Sequence, residues 1–147
     1  MKRFPLLLLL LVCSIAVAQG QDRLNIERFF SHKYRNSHAI MVEIKGEQLE
    51  AYRLSLYKSL EIKQQQGEVN SIEQAVQADA KSACRSQEVR VAGKIVSAYY
   101  QLSPIRERGP NRFILLRKET NDTAVLIYLE GYTELKKLIQ IFLNKKN

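Results

Sequence analysis

The segment Ala124-Val125-Leu126-Ile127-Tyr128-Leu129 is apolar at every position. A strand with one wet face alternates apolar and polar residues, so an uninterrupted run of this kind belongs in the middle of a sheet, covered on both faces. Its neighbours in sequence supply that sheet. Arg112–Lys118 reads as the strand before it, and Glu119-Thr120-Asn121-Asp122 is long enough only for a tight antiparallel connection. From Ala92 to Leu102, Val96, Ala98, Tyr100 and Leu102 alternate with Ser97, Tyr99 and Gln101. His38–Lys45 alternates too, with Ile40, Val42 and Ile44 set against Met41, Glu43 and Lys45 as a half-buried strand that Gly46 ends. Residues 49–63 fit both periods: Leu49, Tyr52, Leu56 and Leu60 suit a helix, while Leu54, Leu56, Leu60 and Ile62 suit a strand interrupted by Lys58. We favour a helical turn at Glu47–Ala51 and then a strand over Arg53–Lys63.

Three helices complete the pattern. Ile26, Phe29, Phe30 and Tyr34 recur at three- and four-residue steps, with Asp22 or Asn25 as caps. After the polar loop Gln64–Glu68, Ser71-x-x-Gln74 has the form of a capping box. The helix it opens runs to about Arg85, with a thin apolar face of Ile72, Ala75, Val76, Ala80 and Ala83. Leu135, Leu138, Ile139 and Phe142 occupy i, i+3, i+4 and i+7 of a closing amphipathic helix. The order helix, two strands, helix, three strands, helix predicts an α+β fold: an antiparallel sheet of about five strands, with helices packed on it as a second layer.

The chain begins with a segment that does not belong to this fold. Lys2 and Arg3 precede an apolar run from Phe4 to Ala18, which is shorter than the roughly 20 residues a membrane-spanning helix needs. It ends in Ala16-Val17-Ala18, the small-x-small pattern of a signal-peptide cleavage site. Residues 1–18 therefore read as a signal peptide and 19–147 as a single domain, with cleavage after Gly20 as a second choice. Lipidation at Cys13 is an alternative, disfavoured because Val12 stands where a small residue is needed and the apolar run continues beyond the cysteine. Removing eighteen of the 147 residues takes Lys2 and Arg3 away and lowers the net charge from +8 to +6. The product is an exported, periplasmic, basic protein with no transmembrane anchor. It retains Cys84 alone, so no internal disulfide is available, and the helical setting makes that thiol a packed or partly covered one.

Several stretches together resemble a family of small exported proteins from Bacteroidetes-type bacteria, grouped only as a domain of unknown function. They are Glu27-Arg28-Phe29-Phe30 with Lys33-Tyr34, Met41-Val42-Glu43-Ile44 with Gly46 and Leu49, Lys58-Ser59-Leu60-Glu61-Ile62, Tyr99-Tyr100-Gln101-Leu102, and Leu126-Ile127-Tyr128-Leu129-Glu130-Gly131. The resemblance implies export and an α+β fold, and it brings no catalytic residue with it.

Chemistry-bearing constellations are sparse. One cysteine and two histidines, His32 and His38, do not make a metal-ligand set, and the glycines Gly93, Gly109 and Gly131 stand alone rather than in a phosphate-cradling loop. No cofactor and no metal is expected. A nucleic-acid partner is excluded by export, and Tyr99 and Tyr100, adjacent on a strand, point to opposite faces. Two surface features stand out. The segment Ser103-Pro104-Ile105-Arg106-Glu107-Arg108-Gly109-Pro110-Asn111-Arg112 reads as a hairpin crown in which Arg106, Arg108 and Arg112, with Tyr99 nearby, suit an anionic glycan, a lipid headgroup or an acidic protein. Asp122-Thr123-Ala124 has the form of a bacterial O-glycan acceptor at Thr123. The reading is a non-enzymatic binding or interaction module for a protein or an anionic envelope component. The alternatives are a small enzyme using Cys84 with a histidine and an envelope protein lipid-anchored through Cys13. Intact-mass analysis of the exported chain is expected to find Gln19 as the first residue; an acylated Cys13 at the N-terminus overturns that.

Overall fold

The computed structural model describes residues 23–144. Residues 1–18, expected to be a signal peptide, with Cys13 among them, and Asp22, expected as a cap, lie outside the described residues. Six strands form one antiparallel sheet: β1 (Ala39–Lys45), β2 (Leu54–Ile62), β3 (Ala83–Val91), β4 (Lys94–Leu102), β5 (Asn111–Lys118) and β6 (Ala124–Gly131). Their spatial order is β1-β2-β6-β5-β4-β3. The apolar run 124–129 is central, as its composition requires, with β2 on one side and β5 on the other. Two helices cover the sheet, α1 (Gln66–Ala80) and α2 (Leu135–Asn144).

The helices do not form one layer. Val69, Ile72 and Val76 of α1 pack with Leu60, Leu126 and Leu116 on one face of the sheet. Leu135, Leu138 and Ile139 of α2 pack with Phe113, Leu115 and Leu129 on the other, and the side chain of Phe142 lies outside the described residues. The fold is α+β with the sheet between helices, because β5 and β6 carry apolar side chains in both phases and neither face can be left to water. Gln101, on the α2 face, is buried, and its side-chain oxygen accepts the Leu135 N–H at 3.3 Å, satisfying one of the donors left free at the start of α2.

The sixth strand is the largest departure from the sequence reading. The helix expected to reach Arg85 stops at Ala80, and residues 83–91 pair with β4. Ala92 and Gly93, at φ 52° and 78°, make a two-residue connection of the left-handed kind that matches strand twist, so the expected strand 92–102 begins at Lys94. β3 is an edge strand exposed at every position after Ala83, so no face of it needed an apolar stripe. A register shift opposite Val89 and Arg90 leaves Val96 as the extra residue of a bulge and turns Ile95 into the α1-side core. At the opposite edge β1 forms as expected, but Ile40 and Val42 are 56% and 42% exposed. The range 49–63 resolves as a single 3-10 turn at Glu47–Tyr52 followed by β2.

The helix α1 begins five residues before the expected capping box. Ser71 donates its hydroxyl to the Gly67 carbonyl at 3.1 Å, one turn back, and caps nothing. The first expected helix is a short 3-10 turn, Asn25–Phe30, whose cap comes from a distant residue. The buried Asp79 carboxylate accepts Asn25 N–H at 2.7 Å, Asn25 Nδ2 at 2.8 Å and Ile26 N–H at 3.0 Å. A negative charge at the C-terminal end of a helix is unfavourable to that helix, and three donors from the N-terminal turn offset it. Asp79 thereby pins the 25–30 turn over the sheet. Its replacement by alanine is expected to cost about 3 kcal/mol, read from urea unfolding; a midpoint equal to the parent's shows that the turn is held by packing alone.

Candidate functional site

The sheet face under α1 is only partly covered by that helix. Register aligns Leu56, Glu130, Arg112 and Leu102 in one row across β2, β6, β5 and β4, and Lys58, Tyr128, Ile114 and Tyr100 in the next. Over part of these rows the roof is the 25–30 turn, with Ile105 of the β4–β5 connection as one wall. A cavity of about 390 Å³ results, lined by Arg112, Lys58, Tyr128 and Glu130 on the sheet side and by residues including Ile26 and Phe30 above.

Arg112 decides the character of this cavity. It was expected at the exposed hairpin crown; it is 9% exposed. Arg112 is in phase with Ile114 and Leu116, which face the α1 core, so the pleat turns its side chain inward. Its Nε donates to the Ser103 carbonyl at 2.8 Å. Its Nη1 is buried and has no hydrogen-bond partner. Glu130 is directly opposite in the ladder, yet its Oε2 accepts the Tyr128 hydroxyl at 2.8 Å, and no ion pair joins Arg112 to a carboxylate among the described residues. A guanidinium is always charged, and burying one without a counterion is costly, so the unfilled donor marks a place for an acceptor with negative charge.

The other expected site residues fall elsewhere. Arg106 and Arg108 are exposed on the β4–β5 connection, where Gly109 N–H bonds to the Arg106 carbonyl at 3.0 Å, and they do not line the cavity. Tyr99 packs against the α2-side core, the face opposite Arg112. Cys84, expected on a helix and covered, is exposed on the edge strand β3, with its thiol donating to the Gln101 carbonyl at 3.3 Å. His38 precedes β1 at the far edge of the sheet, and His32 lines the cavity, which Cys84 does not. The structure therefore brings Cys84 together with neither histidine. Thr123 is half-buried; its hydroxyl donates to Asp122 at 3.1 Å and accepts the Gln64 N–H at 3.5 Å. Among the described residues no cluster of three metal-ligating side chains occurs, and no helix is long and apolar enough to cross a membrane.

Lys58, Tyr128 and Glu130 carry signals that sequence reasoning passed over. Lys58 interrupts an apolar phase shared with Leu56 and Leu60, which is the mark of a cation on a covered face. Tyr128 and Glu130 belong to one of three tyrosine–carboxylate pairs on the α1 face, with Tyr34–Glu68 at 2.8 Å and Tyr100–Glu88 at 2.7 Å. Burial first, and then the hydrogen bond to the carboxylate, pushes the Tyr34 and Tyr100 phenols up to about 12 from 10.0 and raises Tyr128 as well. On the opposite face a second cavity of about 300 Å³ lies between β1, β2 and α2, walled by Val42, Ile44, Leu54, Tyr57 and Leu138, with no charged side chain in its lining.

Fold and cavity together define a small α+β protein with a buried arginine set into one face of its sheet. The chain belongs to a family of unknown function (DUF6108), whose profile matches residues 13–142. No curated protein and no solved structure matches it. Because the folded phenols are raised above their unfolded value, their contribution to stability is complete below about pH 10 and is lost as pH rises through about 12. A tyrosinate absorbance titration should show ionisation delayed in the native protein relative to the urea-unfolded chain; coincident curves contradict the three pairs.

Proposed function

We propose that the chain is an exported, non-enzymatic binding module that takes the anionic group of an envelope component, a glycan or a lipid headgroup, against Arg112. The observation that carries this reading is that Arg112, which lines the cavity, has a buried Nη1 with no hydrogen-bond partner and, among the described residues, no carboxylate in an ion pair. Leaving such a donor unfilled costs on the order of 1–3 kcal/mol, and more for a charged group, which an incoming oxyanion returns as binding energy. Lys58 adds a second positive charge to the lining, and the net +6 of the chain after loss of residues 1–18 favours the approach of anions. Export, to the periplasm of a bacterium of the Bacteroidetes type, is supported by the leader and by the resemblance. The enzyme reading draws no support from the placement of Cys84, and lipid anchoring through Cys13 would leave the cavity as it is.

The test separates the buried arginine from the exposed ones. Arg112→Gln is expected to abolish salt-sensitive retention on an immobilised acidic polysaccharide or on phosphatidylglycerol vesicles, while Arg106→Gln combined with Arg108→Gln retains it. The reverse result moves the site to the hairpin surface, and retention by all variants ends the anion-binding reading.

A further inference from the structure

The cavity that holds Arg112 also holds opposite charges, and their arrangement narrows what fits. Resting on the anion-binding reading above, we propose that the ligand is a sugar acid of the uronic class, with one carboxylate, several hydroxyls and an apolar ring face.

Two cations, Arg112 and Lys58, and two carboxylates, Glu27 and Glu130, share the lining. The ligand must bring negative charge, because Nη1 of Arg112 has no acceptor. It can approach only the Nη edge, since Nε is held by Ser103. A second negative charge would fall beside Glu130, which stands opposite Arg112 in the β5–β6 ladder, and Coulomb repulsion at that range disfavours a dianion such as a phosphate monoester. A single carboxylate avoids it.

The remaining contacts ask for hydroxyls and a small apolar surface. An ionised carboxylate only accepts hydrogen bonds and has about four lone-pair sites; Glu130 spends Oε2 on Tyr128, leaving capacity that O–H donors fill. Ile26, Phe30, Leu56 and Ile105 supply apolar wall against which the C–H face of a sugar ring can lie. A fatty acid would meet the charge requirement but lay hydrocarbon beside Glu27 and Glu130, removing water from them without replacing its hydrogen bonds. A neutral sugar would satisfy the carboxylates and leave Arg112 unfilled. At about 390 Å³ the cavity sits within the range of roughly 300–1,000 Å³ typical of small-molecule sites.

Isothermal titration of the exported chain with glucuronate, glucose, hexanoate and inorganic phosphate tests this. Glucuronate is expected to bind on the order of tenfold or more tighter than each of the other three, the effect of a single charge-assisted hydrogen bond gained or lost. Arg112→Gln should abolish that binding. Lys58→Gln, a half-buried change that leaves the core intact, should weaken it by about tenfold, and Glu130→Gln should narrow the margin between glucuronate and phosphate. If Arg112→Gln does not fold, the Lys58 and Glu130 variants decide, and unchanged glucuronate affinity in both overturns the proposal. Binding of phosphate or hexanoate that depends on Arg112, with glucuronate no tighter than glucose, overturns the sugar acid and leaves the anion site standing. No Arg112-dependent binding of any anion removes both.

Discussion

The pairing of β2 with β6 is the interaction on which the rest of the molecule depends. It joins Leu54–Ile62 to Ala124–Gly131, segments about seventy positions apart, and without it β1 and β2 would be a two-stranded hairpin, which is marginal in water on its own. The contact is close enough to exclude a side chain where it ends: a Cβ on Gly131 would meet the Arg53 carbonyl at 2.5 Å and Leu54 Cα at 2.9 Å. It also sets the topology. With β6 seated between β2 and β5, the chain leaving β2 must cross the whole sheet to reach β3 at the far edge, and α1 is that crossing. The ion pair between Lys118 and Glu73 at 2.8 Å and the hydrogen bond from Gln77 to the Tyr100 hydroxyl at 3.2 Å tie α1 to the strands it passes over.

The cavity follows from this arrangement. One helix of fifteen residues is about 22 Å long and cannot cover one face of a six-stranded sheet. The Asn25–Phe30 turn, hung from Asp79 at the end of α1, roofs part of what is left. Under that roof the inward phase of β2, β6 and β5 carries Lys58, Tyr128, Glu130 and Arg112 where the covered part of the sheet carries leucine and isoleucine. A polar row of this kind beneath a loose cover is poor core and good lining, because its donors and acceptors are only partly satisfied by one another. Arg112 is the extreme member, held at one nitrogen and buried without a hydrogen-bond partner at another.

How much of this was legible depended on whether a segment's period matched its surroundings. β5, β6 and α2 were readable because both sheet faces, or one helix stripe, bury leucine and isoleucine in a regular phase. β3 was not, since an edge strand open to water on both sides needs no apolar alternation, and Ala80 and Ala83 extended the helical stripe past its real end. Cys84 was misplaced with it. Arg112 was assigned to the hairpin because it closes a run rich in arginine, although its spacing to Ile114 and Leu116 already placed it in the inward phase. The cap of the first turn was illegible in principle: Asp79 is more than fifty positions from Asn25, and no local pattern connects them.

By itself the sequence determined the elements that bury apolar side chains with a strict period, the central place of β6 and the α+β class, because local periodicity dictates which backbone conformation can hide those residues. Only the tertiary structure decided the split of the helices between two faces, the sixth strand, the separation of Cys84 from both histidines and the enclosure of Arg112. Each of these depends on which distant segments come to lie side by side, and side-chain burial, unlike backbone propensity, is a property of neighbours that are remote in the chain.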